Sequence, residues 1–428
     1  MTAEIGILNK TSIVLAADSA ATLSSHKKVF NTANKLFPLS YFQPVGIMIY
    51  NNSTWMGIPF ELIIKSYTKN LHDKSFSSLP EYRDDFIKFL KDNFRKFITE
   101  EQIHEFIEFR LYDILGNISE HLEEIFKEKI SDSKTTLSEI EKEKLMEEIF
   151  FKLLDRHSKI KDEILPEFID YKFEEFKLEF KSTIDKILPG FYVSINTPRK
   201  QKYTQRIYKC LYHELICNFS EEEDYSGIVI SGYGIDEIFP TICDVKIGEI
   251  LSNKLRYQYS EVEQISSNNS AIVCPYAQRD MVDTFFRGIN PQISEELNEI
   301  LMEEFETAIG NIHKKHPEIS LADLRPHFSK IYNNLNTKID KFSVKNYINP
   351  IIQSIGFLRK EDLIEFAESL INITSIKRKT NSELQSVGGP IDIAVITKHE
   401  GFIWIKRKDI IDKQLNSAYY NREFRKNQ

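Results

Sequence analysis

A threonine hydroxyl attacks an amide carbonyl only when a base takes its proton. Thr2 stands directly after Met1, and it is small enough for Met1 to be removed by ordinary aminopeptidase action. That removal would leave a threonine whose own α-amine can serve as the base, because its ordinary pKa is about 7.7–8.0. A nearby cation disfavours the protonated amine, and a carboxylate positions the cation. Lys35 and Asp18 are the candidates for these two roles. Taken singly, Asp18 reads as a turn residue closing a strand and Lys35 as a solvated charge. Their order behind an N-terminal threonine is what points to a site.

The elements around these residues read as hairpins. Short apolar segments at 4–8, 12–17, 36–39 and 45–50 are separated by turn residues such as Asn9-Lys10. Residues 58–71 predict a helix with Pro59 in its first turn. From about residue 80 to 188, Phe, Ile and Leu recur every three or four positions among Lys and Glu, the pattern of amphipathic helices. Residues 190–223 are transitional and end in a helix, with the acidic run 221–224 as a loop. Strands return at 227–231 and 241–247. A short strand at 271–274 then feeds a helix over 275–287. Residues 293–348 are again helical, with breaks near Pro317 and Pro326, and a further helix spans 360–371. Segments 390–397 and 402–407 flank His399-Glu400-Gly401 as a closing hairpin.

The bulk properties fit a folded, water-soluble chain. It has 428 residues, enough for two to three domains or one domain with large insertions. The net charge of −8 argues weakly against nonspecific DNA binding. No apolar run reaches the length of a membrane helix, and the opening residues do not form a signal peptide. Cys210, Cys217, Cys243 and Cys274 lack CxxC spacing, which fits a reducing cytoplasm better than a disulfide framework or a zinc site. His313 and His316 are too few for a metal site, and Lys377-Arg378-Lys379 reads as a solvated loop.

The segment TAEIGILNKTSIVLAADSAAT, residues 2–22, resembles the first hairpin of catalytic proteasome β subunits. It is also similar to the peptidase subunit of the bacterial two-component ATP-dependent protease. Ala16-Ala17-Asp18-Ser19 and Asn34-Lys35-Leu36-Phe37 match that pattern. Later stretches, GIVISGYGIDEIFPTICDVKI, LRKEDLIEFAESLI and SVGGPIDIAVITKHEGFIWI, follow the order of the family's central hairpin, late helix and closing hairpin. The resemblance implies an N-terminal-nucleophile (Ntn) hydrolase of α+β class, a four-layer αββα sandwich with large helical insertions. It implies that Ser386 assists the amine of Thr2 and that Glu383 takes the place of the supporting acid. It puts the oxyanion-binding backbone at Asn51 and Asn52, where the family uses a glycine.

The core is then expected over 2–75, 225–292 and 351–408, with helical insertions at 76–224 and 293–350 and a polar tail at 409–428. The expected activity is threonine-type hydrolysis of peptide or protein amides, without cofactor or metal. A homo-oligomer, or a partner ATPase or adaptor docking through the insertions, is expected. Nucleic acid and membrane are not, and the compartment is cytoplasmic. Two other functions fit the same residues: hydrolysis of a small-molecule amide, and a catalytically silent proteasome-like scaffold or complex subunit.

Overall fold

The structure is a computed structural model that describes residues 3–23, 28–30, 32–132, 138–158, 163–195, 201–220, 225–380 and 388–408. Thr2, Glu383, Ser386, the run 221–224 and the tail 409–428 lie outside them. The strands are β1 (Ala3–Asn9), β2 (Ile13–Asp18), β3 (Ala21–Leu23), β4 (Lys28–Phe30), β5 (Leu36–Pro38), β6 (Val45–Asn51), β7 (Thr54–Trp55), β8 (Ile58–Pro59), β9 (Ser226–Gly232), β10 (Thr241–Leu251), β11 (Lys254–Gln264), β12 (Ala271–Ala277), β13 (Ile391–Thr397) and β14 (Gly401–Lys406). The helices are α1 (Phe60–Leu71), α2 (Leu79–Phe97), α3 (Glu100–Asp132), α4 (Glu139–His157), α5 (Phe173–Ser194), α6 (Gln201–Ile216), α7 (Asp280–Arg287), α8 (Pro291–Lys315), α9 (Leu321–Ser343), α10 (Asn349–Ile355) and α11 (Lys360–Thr380).

The architecture is mixed α+β with two five-stranded antiparallel sheets. One sheet has the order β12-β1-β2-β13-β14 and the other β11-β10-β9-β6-β5. Strand alternation sends successive side chains to opposite faces, and β1 shows it. Ala3, Ile5 and Ile7 pack against Val282 and Phe286 of α7 and Leu363 and Leu370 of α11. Leu8 points the other way, to Met48 and Val229 of the second sheet. The outer face of the second sheet, with Ile47, Ile228 and Val245, is covered by α1 through α6. Each fully buried aliphatic side chain of these clusters contributes roughly 1.5–3 kcal/mol.

Several expectations need correction, and proline explains three of them. Pro59 is not in the first turn of a helix; it closes the two-residue strand β8, and α1 begins at Phe60. Pro275 does not open a helix. It sits inside β12, an edge strand, where the missing N–H breaks no sheet ladder. Pro326 does not interrupt the helical run but lies within α9; the break falls at residues 316–320. Lys377-Arg378-Lys379 is not a loop but the last turn of α11, with Lys377 Nζ 2.8 Å from Asp280 Oδ2. Among the described residues, no helix is long and apolar enough to cross a membrane, and no group of three or more His, Cys, Asp or Glu is placed to hold a metal ion.

Candidate active site

The β1–β2 hairpin pairs Glu4 with Ala17, so the same register brings Ala3 opposite Asp18. The N–H of Ala3 donates to Asp18 Oδ1 at 3.1 Å. Lys35 Nζ donates to the same oxygen at 2.5 Å. The other oxygen, Oδ2, accepts the N–H of Gly388 at 2.8 Å. Asp18 and Lys35 are 1% and 3% exposed, so both charges are withdrawn from water and depend on each other.

Lys35 reaches this place from the other sheet. Its backbone carbonyl accepts the N–H of Ile49, which fixes the start of β5 along β6. Its side chain then crosses to the strand ends of the first sheet. Glu4, the one charged residue of β1, meets it there with Oε1 3.1 Å from Lys35 Nζ. Sequence reasoning missed Glu4. The available signal was its place on the Leu8 side of β1, the face turned to the second sheet. Lys35 is therefore one cation between two carboxylates.

The predicted oxyanion residues lie at the end of β6. Asn51 has φ 63°, the left-handed region that disfavours most side chains. Asn is among the residues that tolerate it best, so Asn51 adopts a conformation otherwise favoured by glycine. Asn51 Nδ2 donates to the carbonyl of Tyr225 at 2.9 Å. The ring of Tyr50 lies over Gly227, where an added Cβ would stand 2.0 Å from it, and its hydroxyl donates to Asp244 Oδ2 at 2.9 Å. The same oxygen accepts from Ser260 Oγ at 2.8 Å. Burial holds the Asp244 carboxyl above its ordinary range, only partly offset by these hydrogen bonds and by Lys246 and Arg83. Burial, then the charge of Asp244, pushes the Tyr50 phenol up. Tyr276, which pairs with Glu4 across β12, stacks on Tyr50 with ring centroids 5.1 Å apart. Burial raises the nearby Cys274 thiol to about 12, so it stays protonated and is a poor nucleophile.

A second ionic group braces the end of β2. Lys408 Nζ contacts Asp392 Oδ2 at 2.5 Å and donates to Ser19 Oγ at 2.8 Å. Ser19 Oγ donates to the carbonyl of Pro390 at 2.6 Å, and Ser19 N–H to that of Gly388 at 3.3 Å. Asp18 is thus held between β1 and the chain that enters β13. Of the predicted residues, Asp18 and Lys35 meet directly; Asn51 ends β6, the strand that Lys35 lies beside, and Asn52 follows it. Thr2 immediately precedes Ala3 in the chain, and Ser386 stands two residues before Gly388; with Glu383, both lie outside the described residues.

No family model and no curated protein matches the chain. Similar solved structures include the Anbu complex from Pseudomonas aeruginosa, described as a helical assembly, at 8% identity over 99% of this chain and 96% of that one, with a TM-score of 0.28. Anbu from Yersinia bercovieri, described as an ancestral beta-subunit, is 6% identical over 99% and 94% with a TM-score of 0.27. Anbu from Hyphomicrobium sp. strain MC1 is 7% identical over 98% and 95% with a TM-score of 0.28. At such identities and TM-scores, none of them bears on fold or activity. Membership in the proteasome β-subunit family, or likeness to the bacterial protease subunit, is therefore corrected. The motif match in the opening hairpin is too short to define a family, and function must be read from the site itself.

Proposed function

We propose that the chain is an amide hydrolase of N-terminal-nucleophile type on a four-layer αββα sandwich, with Thr2 as nucleophile once Met1 is removed. One observation carries the reading. A single oxygen of Asp18 binds both the N–H of Ala3, the residue after Thr2, and the ammonium of Lys35. The carboxylate thereby fixes the start of β1 and the cation in one place, which is what an α-amine base requires.

In this mechanism the neutral α-amine takes the proton from Thr2 Oγ, and Oγ attacks the amide carbonyl. The backbone around Asn51–Asn52 supplies N–H groups to the oxyanion. The amine returns the proton to the leaving nitrogen as the C–N bond breaks, leaving an ester on Thr2. A water molecule, deprotonated by the same amine, cleaves the ester and restores the hydroxyl. Ser386 and Glu383 would assist the amine. The substrate class is a peptide or protein amide, and no cofactor enters the scheme.

A second reading, a catalytically silent subunit of a larger assembly, is favoured by Glu4. With both carboxylates ionised the group carries an excess of negative charge, which favours a protonated amine and leaves less of the neutral form to act as the base. A panel of fluorogenic peptide amides and small-molecule amides, with Thr2→Ala as control, separates the readings. Turnover of peptides that vanishes in Thr2→Ala supports the hydrolase. Turnover confined to small amides changes the substrate class. Activity equal in Thr2→Ala, or none across the panel from protein lacking Met1, favours the silent subunit.

A further inference from the structure

Helices α8 and α9 form an antiparallel hairpin that contributes almost nothing to the core. Ile309 is the only buried residue of α8, and α9 has none among its described positions. Phe305 meets Phe328 with ring centroids 5.4 Å apart, and Glu306 pairs with Arg325, which joins the helices toward the tip. At the base, Ser343 Oγ donates to the carbonyl of Arg287.

Near the base each helix exposes an apolar stripe. Ile293, Leu297 and Ile300 line α8, and Ile331, Leu335 and Ile339 line α9, all between 37% and 56% exposed. Both stripes run at helical spacing along one face. Each also runs one residue ahead of a half-buried row: Ser294, Asn298 and Leu301 on α8, and Tyr332 and Asn336 on α9. Those half-buried rows mark the sides on which the two helices face each other. In an antiparallel pair, a step of one residue back from the facing row turns to the same side on both helices. The two stripes therefore make one continuous apolar face. At roughly 100 Å² each, the six side chains expose on the order of 600 Å², close to the ~800 Å² per partner of a stable pair.

Charge selects the occupant. Before Lys314, α8 carries six glutamates and no cation, with Glu296, Glu303 and Glu304 beside its stripe. The outer flank of the α9 stripe carries Lys338 and Lys341, with Lys345 just beyond. A two-fold axis parallel to the hairpin places α8 of one copy against α9 of the other, so acidic flank meets basic flank twice. The alternative axis, across the hairpin, would stack α8 on α8 and oppose like charges. We propose that this face joins two copies of the chain through an antiparallel four-helix bundle, with α8 of each seated on α9 of its partner. The proposal is independent of whether Thr2 is a nucleophile.

The test is analytical ultracentrifugation of the full chain from about 0.1 to about 50 μM. The wild type is expected to dimerise in this range. Leu335→Glu with Ile339→Glu should weaken the dimer at least ~100-fold, with an unchanged circular dichroism spectrum because both positions are exposed in the monomer. Glu296→Lys, level with Lys338 of the partner copy in this arrangement, should weaken it about 10-fold, and Lys338→Glu added to the same chain should restore it. A monomeric wild type at ~50 μM, or a dimer indifferent to Leu335→Glu with Ile339→Glu, overturns the proposal. Failure of Lys338→Glu to rescue Glu296→Lys overturns the seating of α8 on α9.

Discussion

The Glu249–Arg256 pair and the Glu4–Lys35–Asp18 group are both buried, yet they are built from different chemistry. Arg256, fully buried, donates from Nη1 to both oxygens of Glu249 at 2.9 Å and from Nη2 to the carbonyl of Glu214 at 3.2 Å. Its guanidinium lies 4.8 Å from the centre of the Phe219 ring, and Arg110 Nε approaches Glu249 from α3 at 3.8 Å. This is a fixed, cation-rich junction that pins α3 and α6 onto the second sheet. The other group has an excess of carboxylate, a lysine in place of a planar fork, and backbone N–H groups among its partners. A lysine is a compact point charge that can be retuned by its surroundings, whereas arginine stays charged and geometrically fixed. The difference separates a junction built to hold from one suited to tune a neighbouring group.

Substitutions sharpen that contrast. Lys35→Met removes the cation that disfavours the protonated α-amine, and so the base itself, and should slow modification of Thr2 by an N-terminal-threonine-directed epoxyketone by at least ~100-fold. A rate within about 2-fold of wild type would erase the distinction between the two groups. Glu249→Ala leaves Arg256 buried without its carboxylate and should cost about 3–5 kcal/mol in urea unfolding, while the folded fraction labels normally.

The acid limb of stability gives a smaller effect. Burial alone would raise the Glu249 carboxyl, but Arg256 and Arg110 outweigh it and hold it below the ordinary range. Its folded pKa is thus depressed. Its contribution is present above the unfolded value of about 4.3 and is lost as pH falls through the folded one. Glu249→Gln should flatten that part of the stability–pH curve. Asp244 has the opposite sign. Its folded pKa is raised by burial, so its contribution is present below the unfolded value and is lost as pH rises through the folded one. Asp244→Asn should therefore stabilise the protein by up to about 1 kcal/mol at neutral pH and leave stability near pH 3 unchanged, as read by thermal melts.

The sequence made part of this legible. β1, β2, β13 and β14 are apolar runs separated by turn residues, so their pairing follows from local pattern and punctuation. β11, KLRYQYSEVEQ, carries no such signal. It is an edge strand whose last residues face water, and it is organised by pairing with β10 rather than by its own composition. Pro275 looked like a helix start because edge position, which makes it harmless in a strand, is a property of the sheet. Asp18 and Lys35 were visible through their order behind Thr2. Glu4 was not, because its partner enters from another sheet and the contact is closed only by tertiary packing. The exposed faces of α8 and α9 read as ordinary amphipathic helices, since periodicity reports an apolar stripe without saying what covers it.

The most direct test of the central claim is the intact mass of the folded protein before and after treatment with the epoxyketone. The account predicts a chain lacking Met1 that gains one adduct, mapped to Thr2 and absent in Thr2→Ala. Met1 retained on the folded protein, or an adduct that persists in Thr2→Ala, would contradict it.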